Sequence, residues 1–318
     1  MKTNPSLNPC FFPFIPGLLL LALSAGASTN VFFTRFERAE GYNPSYELVG
    51  QNDWACDTPS YGGNGLITNF AGTQAAYVGG FPLDPLADII SVWKPLNFTP
   101  LQSGLPLVEF SALVGIIDST TTNRDDFLWT AYNSEGAPLL SIDFYNEGLG
   151  VYYALGTNDL VYTGVDFTNY VDGAPSNLRI NMDFAHNRWS ATLSGILLVT
   201  NQPIAASREV LDLWDMDAVW WPLNPNRPGD NLMVFDNYKV TADALPPVQL
   251  TGLGRDSNGQ FLLRLAGPSG SRYAIEGSTN LLQWTSLKTN IVTDGSFDFI
   301  DSGASNLSRR YYRAREVY

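Results

Sequence analysis

The stretch from Val210 to Trp221, VLDLWDMDAVWW, carries the densest set of side chains able to hold a ligand. Read as one extended strand, it sets Val210, Trp214, Met216, Ala218 and Trp220 on one side, with Asp212 as the exception among them. Leu211, Leu213, Asp215, Asp217, Val219 and Trp221 fall on the other. Strand side chains alternate between faces, so the first set reads as core and the second as an outward face. Two carboxylates and an indole on one face suit a sugar. The acids accept hydrogen bonds from hydroxyls, and the indole covers the C–H face of a ring. Asp143, Tyr145 and Glu109 lie on the non-core parity of other strands and are expected to join that face. Asp217 and Trp221 would then stand about 14 Å apart by strand rise. In the competing reading Trp221 packs under the loop NPNRPG, residues 224–229, and the acids face water.

Glu37, in RFERAEGY, and Asp236, in VFDNY, form a second candidate. They sit near the first and last strands of the larger unit, and such terminal strands often run side by side. A Glu and an Asp there, completed by backbone carbonyls and water, could hold a structural calcium ion, which takes six to eight oxygens. Otherwise they are strand-end charges meeting Arg35, Arg38 or Lys239. Asp118, Asn123, Asp125 and Asp126 make another oxygen-rich loop, without the D-x-D-x-D-G rhythm of a calcium loop. It reads as a turn with Asx-type bonds. His186 is the only histidine, so any Ser-His-Asp chemistry would depend on it. It lies in the turn AHNR, no G-x-S-x-G stretch accompanies it, and it reads as a surface turn residue.

These residues need a frame of strands. From Leu178 to Thr200, LRINMDFAHNRWSATLSGILLVT, apolar and polar residues alternate through two strands, with turns at His186-Asn187 and Ser194-Gly195 before a third. Similar strands recur over Leu107–Ile117, Phe127–Tyr132, Leu139–Tyr145 and Gly150–Leu155, and Leu232–Ala242 follows later. No helical period intervenes. The fold class is all-β: a sandwich over residues 28–244, then the junction Ala244-Leu245-Pro246-Pro247, then a small β module over residues 245–318. In the module, Phe261–Ala266, Tyr273–Ser278, Phe297–Asp301 and Tyr311–Arg315 read as strands, with Arg309, Arg310 and Arg313 on the outer face of the last.

The 318 residues are 45% hydrophobic and carry a net charge of −13. That balance excludes a nucleic-acid partner, which needs a basic face, and disfavours an anionic membrane surface. Residues 1–27 read as a signal peptide: Lys2, the apolar run Gly17–Leu23, and the small residues Ala25-Gly26-Ala27 before a mature start at Ser28. The apolar run is short of the about 20 residues needed to span a bilayer, so no integral membrane segment remains after cleavage. Cleavage would remove Cys10 and leave Cys56 alone, without an intrachain disulfide.

Residues 31–243 resemble the concanavalin A-like lectin/glucanase sandwiches, including laminin-G-like domains, through the strand–WSATLSG–strand pattern at Trp189–Gly195 and the strand series around it. The last unit resembles small fibronectin type III-like modules of exported bacterial proteins, through YAIEGSTNLLQWTSL at Tyr273–Leu287 and RRYYRA at Arg309–Ala314. The resemblance implies a jelly-roll sandwich in a secreted or cell-surface protein. The superfamily holds lectins, adhesion modules, glycosidases and lyases, and a missing acid motif favours a non-catalytic binding or adhesion role, with a glycan or another cell-surface component as partner. The resemblance leaves open a glycoside hydrolase, a polysaccharide lyase or a purely structural surface protein. Glycosidases of this fold carry closely spaced acids on one strand, as in E-x-D-x-x-E. The nearest approach is SIDFYNEG, with Asp143 and Glu147, where Ser141 stands in place of the leading Glu. No catalytic residue is expected from it.

Overall fold

The computed structural model describes residues 28–57, 62–80, 89–171, 174–205, 209–268 and 270–317. The signal-like segment 1–27 lies outside the described residues. The larger unit is built of β1 (Thr29–Thr34), β2 (Ala55–Cys56), β3 (Asn64–Phe70), β4 (Thr73–Gly79), β5 (Ile90–Trp93), β6 (Leu107–Ile117) and β7 (Asp126–Tyr132). It continues with β8 (Pro138–Tyr145), β9 (Gly150–Leu155), β10 (Val161–Asp166), β11 (Ser176–Asp183), β12 (Arg188–Leu193), β13 (Ile196–Gln202), β14 (Asp215–Trp221) and β15 (Leu232–Asp243).

These strands make two antiparallel sheets. One has the order β13-β12-β11-β6-β15-β4-β3, with β1 also paired to β15; the other has the order β10-β9-β8-β7-β14-β5-β2. The chain passes repeatedly from one layer to the other, which is the jelly-roll form of a sandwich. Each sheet turns one parity of its strands inward, and the two apolar faces cover each other. Leu178, Ile180 and Met182 of β11 and Trp189 and Ala191 of β12 are buried, as their alternation requires. Ser194 and Gly195 both adopt positive φ, 49° and 84°, the backbone a two-residue hairpin needs to match strand twist. At the centre, Phe110, Trp129, Phe235 and Tyr238 pack ring against ring, with Trp129 to Phe235 at 5.2 Å between centroids. Tyr238 is fully buried and donates its hydroxyl to the Met216 carbonyl at 3.1 Å, so the core holds no stranded phenol.

The chain leaves the sandwich at the end of β15. The rest forms β16 (Gln249–Arg255), β17 (Phe261–Ala266), β18 (Arg272–Ser278), β19 (Thr285–Ile291), β20 (Ser296–Asp301) and β21 (Tyr311–Glu316). They make two three-stranded sheets, β16-β17-β20 and β19-β18-β21, around a core of Leu263, Leu265, Tyr273, Ile275 and Val292. Two of these strands, β16 and β19, have no clear period in the sequence, because most of their residues are exposed on both faces.

Two expectations need correction. Val210–Trp221 is not one strand. Only Asp215–Trp221 is regular; before it a single bridge joins Leu213 to Phe98, and the Trp214 carbonyl accepts from Leu96 N and Asn97 N. That break flips the parity: Leu213 is core, whereas Trp214 is 40% exposed and Val210 lies at the surface. Asp212, the exception in the alternation, accepts from Ser134 N and Oγ at 2.8 and 2.6 Å. His186 is not a surface turn residue either. Its side chain is mostly buried between the units, with Nδ1 2.6 Å from Asp183 Oδ2 and Nε2 2.8 Å from Glu316 Oε1 of β21. Arg310 is drawn inward too, 3.0 Å from Asp301.

Candidate ligand-binding groove

The outer face of the β10-β9-β8-β7-β14-β5-β2 sheet holds a groove with a volume of about 880 Å³. Its place on the sheet follows from register. Tyr162, Tyr152, Asp143, Leu128, Val219 and Ser91 stand in one cross-strand row through β10, β9, β8, β7, β14 and β5. At about 4.8 Å per strand such a row runs about 24 Å. A parallel row sets Asp217 opposite Thr130, and Thr130 opposite Ser141. On the other side Trp221 stands opposite Asp126. Every one of these residues has the parity opposite to Phe127, Trp129, Ile142, Met216 and Trp220, which fill the core.

The walls are apolar and aromatic, and the floor is polar. Trp221 is 48% exposed at one side. Tyr145 meets Tyr152 edge-on at 5.8 Å, and Tyr152 meets Tyr162 at 5.1 Å. Ser141 and Thr130 share a hydrogen bond of 3.0 Å on the floor. Asp126 accepts from Asn146 N at 2.8 Å. Asp143 is 2% exposed, and its Oδ1 has no hydrogen-bond partner. Burial drives the Asp143 carboxyl up to about 8, with the neighbouring Asp126 adding to the shift. Burial likewise raises Asp126 to about 7, against the opposing bond from Asn146. Removing a carboxylate from water without a cation to replace it favours the neutral acid.

The residues singled out in the sequence divide clearly. Asp143, Tyr145 and Trp221 line the groove. Asp215 and Asp217 share their sheet face but lie buried beside it, where Asp217 accepts from Ser91 Oγ at 2.6 Å. Burial pushes both acids up, Asp217 the further because Asp215 stands next to it. Neither acid faces water. Glu109 does not join the face: it is on β6 of the opposite layer, 3.6 Å from Arg179. Glu147 lies past the end of β8 and accepts the Tyr145 hydroxyl at 3.0 Å. Asp126, Ser91, Thr130 and Asp57 line the groove and were not singled out for it. The alternation Asp126, Leu128, Thr130, Tyr132 in β7 was the available signal, but nothing local says that β7 lies between β8 and β14.

Glu37 and Asp236 lie in one neighbourhood, because β1 pairs with β15 at Thr34–Tyr238. Asp236 accepts from Asn237 N and from Thr73 Oγ1 at 3.1 Å, and Gln74 N points to Glu37 Oε1 at 3.4 Å. Burial raises the Asp236 carboxyl, and the charges of Glu37 and Glu40 raise it further. Two further acids acting on a buried third one fit a hard cation in charge. In geometry the fit is looser: no group of three or more His, Cys, Asp or Glu side chains among the described residues is disposed to hold a metal. Backbone carbonyls would have to complete the shell. In the loop at the start of β7, Asp118 is bound by Arg124, while Asp125 accepts from Trp220 Nε1 and Gly229 N. No helix among the described residues is long and apolar enough to cross a membrane.

No protein-family model and no curated protein matches this sequence. Among solved structures, a protein with a galectin-like fold from Bacillus subtilis is similar with a TM-score of 0.44 and 10% identity, covering 68% of this chain and 97% of that one. A GH131 beta-glucanase catalytic domain from Podospora anserina gives 0.40 and 11%, covering 60% and 83%. A sialidase gives 0.45 and 8%, covering 67% of this chain; the chain spans only 18% of that protein's length. These similarities carry no activity to this chain; the fold rests on its own two layers of antiparallel strands.

Proposed function

We propose that this chain is an exported, non-catalytic glycan-binding protein that holds an oligosaccharide in the groove of the β10-to-β2 sheet. One observation carries the reading: the groove joins aromatic side walls, Trp221 and Tyr145, to a floor of hydroxyls and carboxyls, Ser141, Thr130, Asp126 and Asp143. Sugar rings offer the complementary surfaces, apolar C–H faces and polar edges. A neutral carboxyl both donates and accepts, so acids held protonated can meet a hydroxyl from either side. The small unit of β16–β21 is then a fibronectin type III-like accessory module, and residues 1–27 are the signal that directs the protein to the cell surface or medium. Calcium at Glu37 and Asp236 belongs to the same reading as a structural ion.

Glycoside hydrolysis is the second reading, and the adjacent acids Asp126 and Asp143 are what favour it. That reaction needs one carboxyl protonated and one ionised. With Asp126 raised to about 7 and Asp143 to about 8, Asp126 is about half ionised at neutral pH while Asp143 mostly keeps its proton, so product release and not charge state separates the two readings. A glycan array with the purified protein, followed by titration of any hit against Trp221→Ala, tests the binding reading. Affinity should fall about tenfold or more in the variant while the melting curve stays in place. Binding unchanged by Trp221→Ala moves the site elsewhere; release of reducing ends from a bound glycan replaces binding with hydrolysis.

A further inference from the structure

Among the described residues the groove contains acids and no base. Asp57, Asp126 and Asp143 line it, Asp215 and Asp217 lie behind it, and no Lys, Arg or His is among its lining residues. Asp143 lines this cavity, and its Oδ1 is buried without a donor. A buried acceptor left unpaired costs about 1–3 kcal/mol, and a ligand that brings a donor recovers it. In the β16–β21 unit two buried acids are matched. Glu276 meets Arg313 and Arg315, and Asp301 meets Arg310.

An ammonium group offers three donors and a positive charge, and supplies what the groove lacks. Anionic glycans would add a like charge and are disfavoured. A bare metal ion is a poor match, because it needs six to eight converging oxygens and this cavity is wide, with Leu128, Val219 and Leu160 in its walls. The exposed indole of Trp221 adds a face toward which an organic cation is drawn.

We propose that the groove selects a glycan bearing free amines, an amino-sugar oligomer of the glucosamine type, and seats an ammonium group against Asp143 and Asp126. This rests on the glycan-binding reading above and names its ligand class. Binding of the cation turns neutral acids into carboxylates, so protons leave as the ligand enters. The titratable groups facing Asp143 are Asp126 on β7 and Tyr152 on β9, with Tyr145 on its own strand; those across the groove are Asp57 and Tyr132.

Calorimetric titration of the full chain at pH 6 tests this with four probes: a glucosamine hexamer, its N-acetylated counterpart, a neutral glucan hexamer and spermidine. The free-amine hexamer should bind at least tenfold tighter than the other three. Repeating the titration in two buffers of different ionisation enthalpy should show net proton release. Asp143→Asn should cost the amine hexamer about tenfold and so reduce its preference over the N-acetylated hexamer to near parity. Asp126→Asn gives the same reading should the first variant fail to fold. Equal binding of the N-acetylated or neutral hexamer overturns the amine preference and leaves the glycan reading standing. Equal binding of spermidine overturns the proposal from the other side, because the cation then suffices without the sugar. No binding of any probe overturns both.

Discussion

The carboxyl groups of the two units live under opposite conditions. In the β16–β21 unit three acids have cations: Glu276 has Arg313 and Arg315, Asp298 has Arg264 at 2.7 Å, and Asp301 has Arg310. The arginine bonds hold Glu276 and Asp298 below the usual carboxylate range. On the groove face of the sandwich, burial without a counter-ion holds Asp126 and Asp143 far above it. The same side chain is thus a finished structural contact in one unit and an uncompensated group in the other. A fold does not need an uncompensated buried acid for its stability, so such acids point to a site.

The contrast should appear most strongly in the pH dependence of stability. An acid held up in the folded state keeps its proton where the unfolded chain has lost it, so stability falls as pH rises between the two values. For Asp143 the window runs from about 4 to about 8, and for Asp126 from about 4 to about 7. Each contributes up to about 1.4 kcal/mol per pH unit inside its window, several kcal/mol together. Glu276 and Asp298 act in the opposite direction: their contribution is present above about 4 and lost as pH falls through their lowered values. Hydrogen exchange resolved by peptide should show the sandwich more protected at pH 5 than at pH 8 after correction for intrinsic rates. The small unit should lose protection only on acidification to pH 3. A sandwich indifferent to pH from 5 to 8 breaks the comparison.

Two adjacent tryptophans sharpen it next. Trp220 is fully buried and donates its indole N–H to Asp125 Oδ2 at 3.0 Å, whereas Trp221 stands half exposed on the acid face. Trp220→Ala should destabilise the sandwich by about 3–5 kcal/mol in denaturant melts. Trp221→Ala should stay within about 1 kcal/mol and lose glycan affinity instead. Reversed effects would place the acid face in the core.

Single carboxyl substitutions give a smaller, paired effect. Asp143→Asn should raise stability at pH 8 by about 1–3 kcal/mol, because it removes a charge that burial opposes. Glu276→Gln should lower it by about 1 kcal/mol at pH 7, a modest loss because both arginine partners are half exposed and screened. Equal signs for the two variants would erase the distinction between the units.

Calcium gives the smallest expected change. If the ion binds at Glu37 and Asp236, a concentration equal to Kd stabilises by RT ln 2, about 0.4 kcal/mol, and more calcium adds to it. The melting temperature should rise with calcium, fall with chelator and become insensitive to both in Asp236→Asn. Identical melts with calcium and chelator remove the ion.

Much of this contrast can be read from periodicity, and its most telling part cannot. The alternation of Met216, Ala218 and Trp220 against Asp217, Val219 and Trp221 assigns inside and outside correctly, because a strand side chain has only two directions. Parity does not say to which layer a strand belongs. Glu109 and Asp143 have equal outward parity and end on opposite sides of the molecule. Periodicity also fails where a strand breaks, as at Trp214, since one irregular residue reverses everything before it. The burial of Asp215 and Asp217 depends on neighbours far away in sequence, Ser91 among them. The inter-unit contact of His186 depends on Glu316, which no local pattern connects to it.

The place of β15 bears on how the chain reaches this state. It is the last strand of the sandwich in sequence, yet it lies inside its sheet, bonded to β6 on one edge and to β4 and β1 on the other. On a ribosome the meanders β7–β10 and β11–β13 can pair as soon as they emerge. The sheet holding β6, β4 and β1 cannot close until nearly the whole sandwich has been synthesised. Until then β4 and β6 present open edges, the surfaces on which strands from other chains add. Such long-range closure is also intrinsically slow, because loop entropy must be overcome before the contacts form. Synthesis of the β16–β21 unit begins just as that edge is being filled, so the end of the chain emerges while the middle of the molecule is closing.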